Sequence, residues 1–168
     1  INVTALSEED LSPIYYTGFE KASKKSYAAE TVSIDGIDWY LSEALVGTLD
    51  NDRKEGIWSI RTRAIGEIRM ESGLVGVKKF SFKYANYKGC TAGLLSVQIS
   101  KDGENWVTIM DPTAGTDVLT EKVLIIDYSN QALVSAGITV ESNVRFRFLV
   151  TGTEGNDSRM NIDEINIY

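Results

Sequence analysis

Pairs of basic side chains lie two or four residues apart in three segments, and therefore on one face of each segment if it is a strand. The three pairs are Arg61 and Arg63, Arg145 and Arg147, and Lys79 and Lys83. Guanidinium groups donate paired hydrogen bonds to carboxylates and sugar hydroxyls, and they stack on aromatic rings. If the three faces share one sheet, they form a charged ligand-binding surface, and Arg159 is a further candidate. The alternative is local pairing with Asp and Glu, which contributes only about 0–1 kcal/mol per pair.

Aromatic side chains are the second group able to bind a ligand, because an exposed ring can stack on the apolar C–H face of a sugar. The candidates are Trp39, Tyr40, Trp58, Tyr87 and Trp106. Each ring could instead pack in the core, and the strand patterns around Trp58 and Trp106 favour that role. Tyr40 and Tyr87 lie near turns, so we predict that these two are exposed and contact ligand.

Catalytic chemistry has little support in this sequence. The chain contains no histidine, which excludes Ser-His-Asp and Cys-His arrangements and His-ligated zinc or iron. The 24 acidic residues make close carboxylate pairs inevitable, but no motif marks one pair as the acid and nucleophile of a glycosidase. We therefore predict that the chain is not an enzyme, with a small glycan-active enzyme as the least favoured alternative.

Length and composition indicate one globular domain. A chain of 168 residues with 43% hydrophobic residues can bury a single core. The net charge of −7 argues against a nucleic-acid partner, which needs a basic surface. No apolar run approaches the roughly 18 residues of a membrane span. The lone Cys90 forms no internal disulfide, as expected for either a cytosolic or a secreted protein.

Period-two patterns predict about ten short strands. The clearest are Val77–Tyr84, Leu94–Ser100 and Val144–Thr151, in which apolar and polar residues alternate. Weaker patterns cover Ile14–Glu20, Ile37–Leu41, Trp58–Ala64, Glu67–Glu71, Trp106–Met110 and Val118–Ile126. With turns every 8–12 residues, the pattern indicates an all-β, two-sheet antiparallel sandwich of the jelly-roll type over residues 14–168. Residues 1–13 are predicted to be a polar lead-in.

Turn and helix signals separate these strands. Asp35-Gly36 and Asp102-Gly103 are favoured pairs for tight hairpins. Ser129 is predicted to cap a short helix over 131–136 that ends at Gly137 in the left-handed conformation. Residues 42–45 are predicted to form another helical turn.

The closing segment, 159–168, is a strand whose apolar positions change parity. Met160 and Ile162 share one face, whereas Ile165 and Ile167 follow the opposite parity. Because strand side chains alternate strictly, a bulge at Asp163-Glu164 must intervene if all four feed one core.

The sequence resembles jelly-roll accessory modules of secreted bacterial proteins, similar to carbohydrate-binding modules and galactose-binding-like domains. Short motifs in order and spacing carry the resemblance: Gly18-Phe19-Glu20, Asp35-Gly36, Trp39, Leu45-Val46-Gly47, Asp52-Arg53, Gly56, Ser59-Ile60-Arg61, Arg63, 100–106, 144–147 and 159–165. The resemblance implies a fold and an extracellular or cell-surface location better than it implies a ligand. Because the chain begins at Ile1 rather than Met, we expect a trimmed or mature form from which a leader could have been removed.

The resemblance also implies a structural calcium ion near the chain ends. The matching positions are Glu20 and Asp163, with Asp52 and the carbonyl of Gly47 as further ligands. Calcium takes six to eight oxygen ligands, so distant acids must converge with main-chain oxygens. The alternative is that Glu20 and Asp163 bind exposed backbone at strand ends, or pair with arginine.

These observations favour a non-catalytic extracellular module that binds carbohydrate as an accessory of a larger secreted or surface protein. The ligand-binding candidates are Tyr40, Arg61, Arg63, Tyr87, Arg145, Arg147 and Arg159. Glycan and other domains of the parent protein are the expected partners. The alternative is an adhesion or spacer module that binds no glycan.

Overall fold

The computed structural model describes residues 12–168 as nine strands and one short helix. The elements are β1 Tyr15–Thr17, β2 Glu30–Ile34, β3 Ile37–Gly47, β4 Ser59–Met70, β5 Lys79–Asn86, β6 Gly93–Ser100, β7 Val107–Ala114, β8 Thr120–Ile125, α1 Gln131–Ser135 and β9 Arg145–Ile167. All pairings between strands are antiparallel. The predicted all-β fold is confirmed.

Strand β9 joins the two sheets of the sandwich. Its first half pairs with β6, its second half pairs with β5, and β4 lies along its other edge. The front sheet comprises β2, the first part of β3, the later half of β4, the first half of β9, β6 and β7. The back sheet comprises the end of β3, the earlier half of β4, the second half of β9, β5 and β8, and β1 pairs with the end of β9.

The core lies between these sheets. Phe80 of β5 stacks on Phe146 of β9, with ring centroids 4.3 Å apart and planes 5° apart. Phe82 meets Phe148 edge to face at 4.9 Å. Since β5 pairs only with the second half of β9, these contacts cross from one sheet to the other, and the predicted jelly-roll sandwich is confirmed.

The bulge predicted in the closing strand is present. Glu164 has a φ of 51°, and the register between β5 and β9 shifts between Ser81 and Lys83. The shift returns the next apolar residues to the core side, so the four apolar residues of the segment are all fully buried: Met160, Ile162, Ile165 and Ile167. A second irregularity lies further up the strand, where β9 advances ten residues, 150 to 160, while β4 advances four.

Several local predictions were wrong. The segments Trp58–Ala64 and Glu67–Glu71 form the single strand β4, and the predicted helical turn at 42–45 is part of β3. There the register shifts, and Glu43 has a φ of 50°, so a bulge produced the helix-like pattern.

The short helix is present, but its cap is not the predicted one. Asn130 rather than Ser129 accepts the hydrogen bond from the Ala132 N–H, 2.9 Å away. Gly137 has the predicted left-handed conformation, with a φ of 64°.

Two further sequence expectations concern the start of the chain and membrane spans. The polar lead-in predicted for 1–13 lies outside the described residues except at its last two positions. Between 12 and 168, the helix is too short to cross a membrane.

Candidate functional site

Asp52 forms a buried ion pair with Arg61. Its side chain accepts hydrogen bonds from Arg61 Nε at 2.7 Å and Arg61 Nη2 at 2.5 Å, and Asn161 Nδ2 donates to it at 2.9 Å. Burial would raise the pKa of Asp52, but the hydrogen bonds from Arg61, Asn161 and the Leu49 N–H outweigh burial and hold the pKa below its ordinary value. The carboxylate is therefore charged, and both of its oxygens accept hydrogen bonds.

Asp52 and Gly47, two of the four predicted calcium ligands, are both part of the environment of this ion pair. A Cβ added at Gly47 would lie 2.5 Å from Asp52 Oδ1, so glycine at 47 leaves room for the carboxylate. Because Arg61 occupies both oxygens of Asp52, the structure does not present Asp52 and Gly47 as a cation site. Pairing with arginine, which the sequence offered as the alternative to calcium for Glu20 and Asp163, is found at Asp52 instead.

Glu20 and Asp163 hold the loop between β3 and β4. Asp163 Oδ2 accepts a hydrogen bond from the Glu55 N–H at 2.6 Å, and Glu20 Oε1 accepts one from the Ile57 N–H at 3.0 Å. These are contacts to backbone, the alternative to calcium that the sequence left open. The loop thus connects an acid near the start of the described chain to an acid near its end.

Asp163 is buried, and it forms no ion pair with any residue that the structure describes. Its side chain is fully inaccessible, and its hydrogen-bond donors are the backbone N–H groups of Glu55 and Glu164. Burial raises the pKa of Asp163 to about 7, the two N–H groups oppose the shift, and the charges of Glu164 and Glu20 add to it. Within the described residues, no group of three or more His, Cys, Asp or Glu side chains could hold a metal ion.

Tyr87 is not an exposed platform, and that prediction was wrong. Tyr87 is 5% exposed, and two guanidinium groups lie against its ring. The Cζ atom of Arg61 lies 5.1 Å from the ring centroid and that of Arg159 lies 4.2 Å away. The three predicted ligand-binding residues therefore come together as a stacked structural cluster.

Arg63 belongs to another cluster. Its Nε donates to Glu43 Oε2 at 2.5 Å, and its guanidinium lies 4.1 Å from the centroid of the Tyr27 ring. The alternative of local pairing thus describes both Arg61 and Arg63. The three basic pairs of the sequence do not form one continuous surface, because they lie on different strands of the two sheets.

A row of polar side chains crosses five strands of the front sheet in register. We call it the cross-strand row: Tyr40 of β3, Arg69 of β4, Arg147 of β9, Gln98 of β6 and Thr108 of β7. The adjacent row is buried and consists of Leu41, Ile68, Phe148 and Val97. Because side chains alternate between faces, the cross-strand row lies on the outer face of the sheet.

Hydrogen bonds join the members of this row. Arg147 Nε donates to Gln98 Oε1 at 2.7 Å, and Gln98 Nε2 donates to Thr108 Oγ1 at 3.0 Å. Glu67 Oε1 accepts from Arg69 Nη1 and from Arg147 Nη1, both at 3.1 Å. The two guanidinium groups are therefore fixed in position by one shared carboxylate.

A ring lies against each of the two guanidinium groups. The guanidinium of Arg69 lies 4.4 Å from the Tyr40 ring centroid, and that of Arg147 lies 4.4 Å from the Trp106 ring centroid. Both rings are half-buried, whereas Trp39 is fully buried. Trp58 is also half-buried and packs against the core.

The sequence predicted Tyr40 and Arg147 but missed the rest of the cross-strand row. Arg145, two residues before Arg147, donates to the Glu71 carbonyl oxygen at 2.9 Å and lies on the same face. Arg69 is central to the row, and the only sequence signal for it was the polar parity of the weak strand pattern Glu67–Glu71. Register across neighbouring strands, which brings these residues together, is not visible in a local pattern.

The fold is similar to that of adhesin and carbohydrate-binding domains of known structure. The K2 cleaved adhesin domain of Lys-gingipain gives a TM-score of 0.61 at 15% identity, covering 92% of this chain and 98% of that one. The CBM22-1 xylan-binding domain from Paenibacillus barcinonensis Xyn10C gives 0.56 at 12% identity, covering 93% of each chain. TmCBM61, solved with β-1,4-galactotriose, gives 0.50 at 15% identity, covering 77% of this chain and 87% of that one.

These likenesses confirm the jelly-roll resemblance inferred from the sequence motifs. At identities of 12–15%, they concern the fold alone, and any ligand must be argued from the residues of this chain. No protein-family model and no curated protein sequence matches the chain.

Proposed function

We propose that this chain is a non-catalytic binding module that holds a glycan on the cross-strand row. The observation that carries the proposal is that two half-buried rings, Tyr40 of the row and Trp106 beside it, lie against Arg69 and Arg147, the two guanidinium groups of one hydrogen-bonded polar set. Rings supply contact to sugar C–H faces, and the guanidinium, carboxylate and amide groups beside them supply hydrogen bonds to hydroxyls.

The row suits an extended, uncharged oligosaccharide. Five strands cover four inter-strand spacings, about 19 Å, which is longer than one sugar ring. The charges of Arg69 and Arg147 are compensated by Glu67 and Glu71, so the face has little net charge to select an ionic ligand. Since both guanidinium groups are already fixed, binding costs little side-chain entropy.

We also propose an extracellular or surface location, with the module as an accessory of a larger protein. Two of the similar folds are described as domains of larger proteins, Lys-gingipain and Xyn10C. The single cysteine is compatible with an oxidising compartment, because a core of this size needs no disulfide.

A glycan array with the wild-type chain, Tyr40→Ala and Trp106→Ala tests the glycan proposal. We expect wild-type binding to at least one neutral oligosaccharide and about tenfold weaker binding by each variant. Tyr168→Ala is the matched control, since that ring contacts Lys79 of β5 in the other sheet. Array binding that neither variant weakens would contradict the site, and no binding to any glycan would favour the adhesion or spacer alternative.

We keep calcium as a proposal for Glu20 and Asp163 alone. The supporting observation is the buried Asp163 carboxylate, which a cation would neutralise, with backbone carbonyls supplying the remaining oxygens that calcium requires. Calcium should then raise the melting temperature of the wild type and leave Asp163→Asn unchanged, because a ligand bound only by the native state stabilises it. An unchanged wild-type melting temperature after chelation would overturn this proposal.

A further inference from the structure

A cavity lies away from the cross-strand row, beside the loop between β3 and β4. Its volume is about 310 Å³, which is within the range of small-molecule sites. Leu45, Val46 and the half-buried Trp58 form its apolar wall. The cavity is therefore large enough for one ring-sized ligand, with an indole as the broadest contact surface.

The charge of the cavity is opposite to that of the molecule. Its lining contains Lys24, Lys25 and Arg61, and no acidic side chain among the described residues that form it, although the whole chain has a net charge of −7. The charge of Arg61 is compensated by Asp52, which does not line the cavity. A basic, low-dielectric recess in an acidic surface concentrates anions.

The two lysines have different roles. Lys24 is almost fully buried, and its Nζ donates to the carbonyl oxygens of Ser26, Ala28 and Ala44 at 2.5, 2.6 and 2.8 Å, so it cannot reach a ligand. Lys25 is exposed at the cavity wall and forms no ion pair with any described residue. Lys25 is therefore the ammonium group available to an incoming anion.

Two hydroxyl groups also line the cavity. Ser23 and Thr48 are both exposed and border the cavity. We propose that this cavity binds a sugar acid, a pyranose ring whose carboxylate pairs with Lys25, whose C–H face stacks on Trp58 and whose hydroxyls meet Ser23 and Thr48. This site is separate from the cross-strand row and does not require the glycan proposal to be correct.

The three tryptophans allow both sites to be read in one experiment. We would titrate the ¹⁵N-labelled protein with methyl β-glucuronide and with methyl β-glucoside, which differ only in the carboxylate at C6. The Trp58 indole N–H resonance should shift with the glucuronide only. Trp106 reports the cross-strand row, and Trp39, fully buried and bonded to Tyr15 Oη, is the internal control.

Lys25→Gln should weaken glucuronide binding by about tenfold or more, since it removes a charge-assisted contact. Lys21→Gln is the matched control, because Lys21 is an exposed lysine of the same segment outside the cavity lining. The proposal is overturned if the glucoside binds equally, if neither ligand shifts Trp58 at about 10 mM, or if the two variants bind alike. A shift at Trp106 without one at Trp58 would overturn it while leaving the cross-strand row intact.

Discussion

Two buried carboxylates hold the loop between β3 and β4, and their environments are opposite. Asp52 is 4% exposed and has a bidentate arginine partner, whereas Asp163 is 0% exposed and, within residues 12–168, has only backbone N–H donors. The pKa of Asp52 lies below its ordinary value, and that of Asp163 is raised to about 7. Burial alone therefore does not decide the charge of an acid in this fold; the partner does.

The two acids impose opposite pH dependence on stability. The proton that Asp163 holds in the folded state stabilises the fold at low pH, and this stabilisation is lost as pH rises from about 4 to about 7. The ion pair of Asp52 stabilises the fold above about pH 4 and is lost below it. Considering these two groups only, the metal-free protein should be most stable near pH 4.

The largest expected effect is removal of the partner of Asp52. Arg61→Met would leave a buried carboxylate unpaired and should lower the free energy of unfolding by about 3–5 kcal/mol, measured by urea denaturation. Arg63→Met is the matched control, because the Arg63–Glu43 pair is more exposed, with 28% and 35% of the side chains accessible; its loss should cost about 0–1 kcal/mol. Equal losses would mean that the partner does not distinguish Asp52.

The next largest expected effect is the pH dependence of the free energy of unfolding that Asp163 causes. With a chelator present, the wild-type free energy of unfolding should fall between about pH 4 and about pH 7, with at most about 4 kcal/mol of that fall due to Asp163. Asp163→Asn should show a smaller fall, together with a pH-independent loss from one poorer hydrogen bond. Urea denaturation across this range checks the difference, and parallel curves for the two proteins would refute the raised pKa.

A smaller effect is expected at Glu20, whose carboxylate is exposed and accepts from the Ile57 N–H. Glu20→Gln keeps an acceptor but removes its charge, so we expect a loss of about 1 kcal/mol in metal-free protein. A loss as large as that of Arg61→Met would show that the exposed acid holds the loop as strongly as the buried ion pair does.

The smallest effect concerns Tyr16, which donates to Glu164 Oε1 at 3.0 Å beside the bulge. Tyr16→Phe removes one exposed hydrogen bond and should cost about 0.5 kcal/mol or less in thermal unfolding. Tyr128→Phe, which removes a half-buried bond to the Val77 carbonyl, is a useful reference and should cost more.

Local patterns predicted those features that depend on one strand at a time. The parity change around Asp163-Glu164 predicted the bulge, because alternation is a property of the strand itself. The same reasoning misread 42–45 as a helical turn, since a bulge in β3 also disrupts alternation.

Features that depend on several strands could not be predicted from the sequence. Tyr87 lies near a turn, yet Arg61 and Arg159 enclose it from two different strands. The cross-strand row likewise depends on the registers of four strand pairs. Between 150 and 160, β9 contains more residues than the facing part of β4, so the position of Arg147 opposite Arg69 cannot be obtained by counting residues along the sequence. The partner of Asp52 was missed because the sequence favoured a metal site over an ion pair.

The pairing of β1 with the end of β9 has a mechanical consequence. Tyr15 lies opposite Ile167 in antiparallel register, and the Ile14 N–H donates to the Ile167 carbonyl at 2.7 Å. The polypeptide therefore enters and leaves the sandwich side by side. Tension between the two ends would therefore peel β1 from β9 one hydrogen bond at a time instead of shearing all of their hydrogen bonds together.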